Sequence, residues 1–349
     1  MKKIIFLIIL AVILTLVIWV LKITFISQSG TGENKIFIIN EGEGVNQISR
    51  NLKQAGLIDN SFIFETYLWL IKSGSKIMAG EHVLSDKWSI KSLCRVLITG
   101  SYLENEDTIK IIEGWNLRDI ANYLEKQGIC TVDEFYFWAG RPAVNYNIEK
   151  KYERTTQNWS ESYHLLENRP ENYSLEGFLF PDTYRIYKNS KPQEIIQKML
   201  SNFERKVNKE ILADIKAQKK DLYDILILAS IIEKEAKTYD DKRRVAGVYY
   251  NRMNIGMALQ ADPTVNYVTG NITDRPSYDE IKTDSLFNTY KYPGLPPTPI
   301  CNPGLDSIRA AVYPERNGYY YFLNTPDGQL IFSKTLEEHK RNRLKYFND

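Results

Sequence analysis

Two acidic residues beside a long apolar stretch are the first candidates for chemistry. The stretch LILASIIEKEA, residues 226–236, contains Glu233 and Glu235 directly after its apolar part. Its spacing predicts a helix in which Ala229 and Ser230 share the face of Glu233. A step of two residues along a helix rotates the side chain by about 200°, so the two acids cannot share a face.

A carboxyl group on the apolar face is removed from water and lies near the negative end of the helix dipole. Both effects favour the protonated acid. A general acid that acts on a glycosidic oxygen needs that form. The competing interpretation is a solvated Glu233 paired with Lys237, four residues further along the helix.

Three further segments combine polar side chains with prolines or large apolar groups. They are LEGFLFPDTYRI (175–186), MALQADPTVNY (257–267) and FNTYKYPGLPPTPICNPG (287–304). Proline-rich loops are stiff and can hold polar groups around a cleft. The candidate substrate contacts in these segments are Glu176, Tyr184, Gln260, Asp262, Asn288 and Tyr290. For Asp262 the alternative role is that of a helix cap.

A serine nucleophile is a different reading of the same helix. Ser230 and Lys234 lie four residues apart, a spacing that places both on one face of the helix, as a Ser–Lys nucleophile pair requires. The penicillin-binding pattern S-x-x-K is one residue shorter, and its S-D-N and K-T-G partners are absent. A glutamate mechanism is therefore favoured.

Taken in order, five segments resemble the signature of the endolytic murein transglycosylases, the MltG or YceG-like family. They are EGFLFPDTY, ASIIEKEA, NRMNIGMALQADPTV, NTYKYPGLPPTPICNPG and FSKTLEEHKRN. The resemblance implies an α+β fold with a single N-terminal transmembrane helix, a LysM-like α+β subdomain and a mixed α+β catalytic domain. It implies cleavage of nascent peptidoglycan between N-acetylmuramic acid and N-acetylglucosamine, which leaves 1,6-anhydromuramoyl ends. It assigns the catalytic acid to the first Glu of EKE, Glu233, and the substrate contacts to the candidates in the neighbouring segments.

One acid suffices for such an enzyme, because the C6 hydroxyl of the sugar replaces water. A hydrolytic glycosidase usually needs two carboxylates. No cofactor is expected, since the sequence has no cluster of metal ligands. The partners are peptidoglycan glycan strands, the membrane and, by the family's site of action, peptidoglycan synthases. Nucleic acid is not expected, because the formal net charge is only +2 and the basic residues are spread out.

The N-terminus predicts a membrane anchor. Residues 4–21 are apolar except for Thr15, close to the length that spans a bilayer. Lys2 and Lys3 before this run, against Lys22 after it, favour a cytoplasmic N-terminus and an extracytoplasmic catalytic domain. The predicted location is therefore the cell membrane, with a single pass.

Behind the anchor, the sequence contains an internal repeat with a shift of 72 residues. Copies beginning at Ile36 and Ile109 each predict a strand, a glycine turn and an amphipathic helix, followed by a second helix. This pattern resembles LysM modules that bind glycans, and a small packing scaffold is the alternative. The predicted order is an anchor region (1–27), a tether (28–35), the repeat region (36–139), a polar linker or insertion (140–173) and the catalytic domain (174–349).

Two questions stay open in the sequence. The protein is either an enzyme or a membrane-tethered glycan-binding scaffold without catalysis, and only incubation with peptidoglycan separates these. Cys94 and Cys130 either pair or stay free, which their spacing does not decide.

Overall fold

The structure is a computed structural model that describes residues 32, 34–99, 106–155, 157–188, 190–271 and 275–347. The predicted anchor at residues 4–21 lies outside these ranges. Within them, no helix combines the length and the apolar character needed to cross a membrane. The described chain has a mixed α+β fold, and its contacts divide it into two compact units between Glu106 and Asp107.

The N-terminal unit has a strand–helix–helix–strand order with one further helix. Its elements are β1 (Asn34–Ile39), α1 (Val45–Gln54), α2 (Ser61–Leu70), β2 (Gly80–Ser85) and α3 (Ile90–Thr99). The two strands are antiparallel, and the register places Asn34 opposite Ser85. Ile48 and Leu52 of α1 are buried one helical turn apart, so the amphipathic pattern of the sequence forms the core of this unit.

The C-terminal unit begins with the same order of elements. These are β3 (Glu106–Lys110), α4 (Leu117–Lys126), α5 (Val132–Ala139) and β4 (Thr183–Tyr187), and β4 pairs with β3. Asn116 and Thr131 cap the two helices in capping boxes with Asp119 and Glu134. The two copies of the sequence repeat therefore fold alike, but the second strand of the second copy follows a long insertion.

The division between units differs from the predicted domain boundaries. The second copy was predicted to belong with the first, in a region ending at residue 139. It belongs instead to the C-terminal unit, because Leu117, Ile120 and Leu124 are buried in the same core as Leu228. Segment 140–173 is likewise no loose linker, since Trp159 and Leu166 are buried in that core.

The remaining elements of this unit include one almost fully buried helix. In chain order they are α6 (Pro192–Lys206), α7 (Lys209–Ala217), α8 (Leu222–Glu235), α9 (Tyr239–Asn254), α10 (Asp262–Thr269), α11 (Leu305–Val312), β5 (Tyr321–Asn324), β6 (Leu330–Ser333) and α12 (Leu336–Phe347). Every residue of α8 from Ile225 to Ile232 is buried, and α9 and α11 pack against it. The turn signal PDG between two apolar runs predicts a hairpin, followed by a helix from Thr335. The antiparallel pair β5–β6 and α12 confirm both predictions.

The cysteines form no disulfide in the described chain. Cys94 and Cys130 are free thiols, and they lie in different units. The question that their spacing left open is answered in favour of free cysteines.

Candidate active site

Glu233 lies in the last turn of α8 and is held by three donors. Its Oε1 accepts a hydrogen bond from Nζ of Lys242 at 3.1 Å. Its Oε2 accepts from the backbone N–H of Gly304 at 2.9 Å and from Oγ of Ser307 at 2.6 Å. Only 9% of the Glu233 side chain and 5% of the Lys242 side chain are exposed, so this is a buried ion pair.

These contacts differ from both sequence-based expectations for Glu233. It is not an unpaired carboxyl group on an apolar face, and its partner is Lys242 rather than the exposed Lys237. A lysine cation and two neutral donors stabilise an ionised carboxylate. The side chain also links α8 to α9, through Lys242, and to the start of α11, through Ser307. This geometry suits a residue that holds three elements together better than one that gives up a proton.

Glu235, two residues further, has different surroundings. It is half-buried and accepts a hydrogen bond from the hydroxyl of Tyr249 at 3.2 Å. The pKa of Glu235 is raised to about 7, chiefly by burial and also by the negative charge of Asp262, against the lowering effects of the Tyr249 hydroxyl and Arg252. A carboxyl group with a pKa near 7 is protonated in a substantial fraction of the molecules at neutral pH. It can therefore act as a proton donor.

Asp262 and Tyr290, two of the predicted contact residues, lie near Glu235, and Gln260 precedes Asp262 by two residues. Asp262 is the first residue of α10, and its Oδ1 accepts a hydrogen bond from the hydroxyl of Tyr290 at 2.5 Å. Burial raises the pKa of Tyr290, and the charges of Asp262 and Glu235 raise it further. Gln260 is exposed and adopts a left-handed backbone conformation, with φ of +51°. Strain of this kind in a residue other than glycine is often found at functional sites.

Neighbouring contacts fix this group in place. The N–H of Gln260 donates to the carbonyl of Thr289 at 3.1 Å, which joins the segment before α10 to the segment that carries Tyr290. The alternative that Asp262 caps a helix through its side chain is wrong, because Ala261 occupies the cap position of α10.

Arg252 supports the same region from α9. Its guanidinium is buried and donates to the carbonyl of Tyr320 at 2.6 Å and to that of Leu259 at 2.5 Å. It thereby fixes the chain immediately before Gln260. Arg252 lies inside the quoted segment NRMNIGMALQADPTV, so the sequence placed it near the site but gave no reason to single it out.

Glu176 was predicted to contact substrate and does not. It is fully buried and accepts hydrogen bonds from the N–H of Leu117 at 3.1 Å and from the hydroxyl of Tyr267 at 2.9 Å. Burial raises the pKa of Glu176 to about 8, against the lowering effect of these two donors. Its carboxyl group accepts a hydrogen bond from the first backbone N–H of α4, a group that has no acceptor within the helix.

We expect Glu176→Gln to reduce the pH dependence of stability. The pKa of Glu176 in the folded protein, about 8, lies above its usual value of 4.5. The folded state therefore keeps a proton that the unfolded chain releases, and the free energy of unfolding falls as pH rises from about 4.5 to about 8. Each pKa unit corresponds to about 1.4 kcal/mol, so the loss amounts to a few kcal/mol.

Urea unfolding at pH 5 and pH 8 measures this effect. The Gln variant should lose less stability between these values than the parent, and Glu153→Gln, an exposed change, should behave like the parent. The free energy of unfolding of the Gln variant should still fall somewhat with rising pH, because the raised pKa of Glu235 acts in the same direction. An unchanged slope in Glu176→Gln would show that this carboxyl group is ionised in the folded protein.

Two other predicted contacts are also structural. Tyr184 is buried, and its hydroxyl donates to the carbonyl of Phe180 and accepts from Nδ2 of Asn202. Asn288 is fully buried, and its Nδ2 donates to the carbonyls of Ile281 and Thr283. Asn288 therefore reaches no surface of the described chain that a substrate could touch, and the prediction for it is wrong. Tyr184 is 7% exposed and lies in the wall of a surface groove, where its hydroxyl is used by Phe180 and Asn202.

The serine alternative is not supported by the described geometry. Ser230 is fully buried, donates to the carbonyl of Ile227 at 2.7 Å and accepts from the N–H of Ile300 at 3.0 Å. Lys234 lies on the exposed side of the helix. The Ser230 hydroxyl stabilises contacts between α8 and the proline-rich segment.

Comparison with known proteins gives matches over nearly the whole chain. The model of the YceG-like family matches residues 37–345. An endolytic murein transglycosylase of Bacillus subtilis is 32% identical over 318 residues, which cover 89% of this chain and 84% of that protein. One from Streptococcus pneumoniae is 29% identical over 330 residues, and the match covers 89% of this chain but 58% of that longer protein.

Solved structures give the same result. The crystal structure of a yceG-like protein from Listeria monocytogenes superposes with a TM-score of 0.58 at 30% sequence identity. The match covers 89% of this chain and all of that chain.

Proposed function

Because the chain belongs to the YceG-like family, we propose that it cuts nascent peptidoglycan strands internally, with Glu235 as the only proton donor and acceptor. It is an enzyme of the lyase type, as the curated relatives are endolytic murein transglycosylases. The proposed bond lies between N-acetylmuramic acid and N-acetylglucosamine, and the proposed products carry 1,6-anhydromuramoyl ends. Such cuts would terminate glycan strands during cell-wall assembly.

The observation that carries this proposal is the setting of Glu235, whose half-buried carboxyl group contacts the hydroxyl of Tyr249 and has a pKa raised to about 7 by burial and by the charge of Asp262. In the proposed step, Glu235 donates its proton to the glycosidic oxygen as that oxygen leaves the anomeric carbon. The C6 hydroxyl oxygen of the same sugar then bonds to the anomeric carbon, and its proton passes to the Glu235 carboxylate. The acid is thereby restored, and no water enters the product.

The neighbours of Glu235 have supporting roles in this proposal. The negative charge of Asp262 favours the protonated form of Glu235 and would also stabilise positive charge that develops on the sugar ring. Tyr290 orients Asp262 through their hydrogen bond. The exposed amide of Gln260 is a suitable partner for polar groups of the sugar.

A pH profile of strand cleavage tests the role of Glu235. Cleavage needs the protonated acid, so the rate should fall as pH rises through about 7. The assay uses purified full-length protein in detergent with isolated glycan strands, and it follows the decrease in strand length. A rate that stays constant between pH 5 and pH 9, or binding without any cleavage, would contradict the proposal.

We also propose that residues 4–21 anchor the protein in the cell membrane, with the N-terminus in the cytoplasm and both units outside it. The uninterrupted apolar run and its flanking lysines support this arrangement. The enzyme would then act where peptidoglycan synthases extrude new strands.

The N-terminal unit is proposed to be a LysM-like glycan-binding module. A groove of about 650 Å³ lies between the start of α1 and the end of α2, and Val45, Trp69 and Leu70 line it. Trp69 is 76% exposed, and an exposed indole can stack on the apolar face of a sugar ring.

In the second copy of the repeat, the residues that correspond to the start of α1 contact other parts of the protein. The 72-residue shift relates Val45 and Asn46 of the first copy to Leu117 and Arg118. Leu117 donates to Glu176, and Arg118 donates to the carbonyl of Tyr267 at 2.7 Å. Protein groups thus occupy the corresponding position, which supports a glycan-binding role for the first copy and a packing role for the second.

We expect Trp69→Ala to weaken binding of glycan strands about tenfold, since removing an aromatic anchor typically costs more than 1 kcal/mol. Binding is measured in the Glu235→Gln background, so that the strands stay intact. The matched control is Phe62→Ala, an equally exposed aromatic on the same helix that does not line the groove. Equal losses in the two variants would contradict a specific groove.

A further inference from the structure

A second groove, of about 810 Å³, lies in the C-terminal unit between β4 and α6. Thr183, Arg185 and Tyr187 line it from β4, because alternate residues of this strand are exposed. The mostly buried Tyr184 also contributes to its wall, whereas Ile186 does not. The opposite wall is the polar face of α6, where lining residues recur every three or four positions along the helix. We call this the β4–α6 groove.

One wall of the groove comes from the insertion. Tyr163 lines it, and its hydroxyl contacts the carbonyl of Gln197 at 3.2 Å and Oγ of Ser201 at 3.3 Å. Tyr163 lies in segment 140–173, outside the stretches that carry the family resemblance. The groove is therefore built partly from a segment that those stretches do not include.

The acids of the groove already have partners. Asp182 accepts from Nδ2 of Asn202 at 3.0 Å and pairs with Lys206 at 3.4 Å. Glu194 accepts from the N–H of Lys191 at 3.2 Å, at the start of α6. Neither carboxylate is therefore the main determinant of what the groove attracts.

The basic side chains that line the groove have N–H groups available to bind a ligand. Arg205 uses one N–H on Oδ1 of Asn202, and Lys198 donates to the carbonyl of Arg185. The exposed guanidinium of Arg185 makes no hydrogen bond to any residue that the structure describes. Beside it, Tyr187 is 41% exposed, and Nζ of Lys198 lies 5.8 Å from the centre of its ring. A groove with spare guanidinium donors and a flat aromatic surface favours a carboxylate-bearing ligand with some apolar area.

We propose that the β4–α6 groove binds the carboxylate-bearing peptide stems that peptidoglycan strands carry. This inference rests on the proposed function for the identity of the ligand. Arg185 and Arg205 bind stem carboxylates, and Tyr187 packs against the apolar part of the stem. The five residues of β4 extend for roughly 16 Å, enough for a short extended peptide. The enzyme would therefore prefer strands that still carry stems.

The test compares three ligands on full-length Glu235→Gln protein, which is expected to bind without cutting. The ligands are strands with stems, the same strands after an amidase has removed the stems, and the free stem peptide. We expect stems to strengthen strand binding at least tenfold. Adding Arg185→Gln and Arg205→Gln should abolish that difference, leave the stem-free strands bound as before and weaken binding of the free peptide.

The matched control is Lys188→Gln, which removes an exposed cation just after β4, outside the groove lining. It should keep the preference for stems. The proposal is overturned if the arginine variant keeps the preference, or if Lys188→Gln loses as much, which would indicate general surface charge. Failure of the proposed function gives a different result, namely no cleavage of any strand by the parent enzyme while the free peptide still binds in an arginine-dependent way.

Discussion

Glu235→Gln is expected to lower the rate of glycan cleavage by about 10³-fold, within the range that a positioned general acid contributes. The amide has nearly the same shape as the acid, and its oxygen can still accept the hydrogen bond from Tyr249. It cannot donate a proton to the leaving oxygen. Initial rates on isolated strands measure the loss, and circular dichroism with thermal unfolding verifies that the variant is folded.

The matched control is Glu233→Gln, on the same helix two residues away. Its amide can still accept from Gly304 and Ser307, so we expect lower stability and a loss of activity of less than about tenfold. The sequence resemblance assigned the acid to Glu233, so the pair of variants separates the two assignments. Loss of activity in Glu233→Gln, with activity retained in Glu235→Gln, would restore Glu233 as the donor.

Lys242→Met is expected to destabilise the fold by about 3–5 kcal/mol, the cost typical of removing one partner from a buried ion pair. The substitution leaves the carboxylate of Glu233 buried without its cation. Adding Glu233→Gln removes that charge and should restore most of the lost stability. Urea unfolding of the single and double variants measures both effects.

Lys237→Met is the control for this experiment. Lys237 is exposed and is the partner that helical spacing alone suggested for Glu233. We expect it to change stability by less than about 0.5 kcal/mol, as surface substitutions usually do. If Lys242→Met were equally mild, or the double variant no better than the single one, Glu233 would not depend on this pair.

Local patterns predicted much of the fold. The spacing of Ile48 and Leu52 predicted an amphipathic helix, and the turn in NTPDGQ predicted the terminal hairpin. The end of the repeat region was mispredicted, because β4 pairs with β3 only after a long insertion. The local pattern of apolar residues does not show which strands pair when they are far apart in the sequence.

The candidate site was predicted less well, for a related reason. Helical geometry separates Glu233 from Glu235, but only the packing of α9 and α11 decides which face meets Lys242 and which meets Tyr249. The predictions of substrate contact for Glu176 and Asn288 were wrong for a similar reason. In sequence, a polar residue among apolar ones looks the same whether it contacts substrate or binds buried backbone groups. Asp262 and Tyr290 were grouped by the family resemblance, and they do meet.

The mass of the new glycan ends tests the central claim most directly. If Glu235 acts alone and the C6 hydroxyl closes the ring, every cut made by the purified enzyme should leave a muramoyl end lighter by one water than a hydrolysed end. Mass spectrometry of strands digested to completion distinguishes the two. Products that carry the full mass of reducing ends would show that water attacks the sugar, and would contradict the one-acid mechanism.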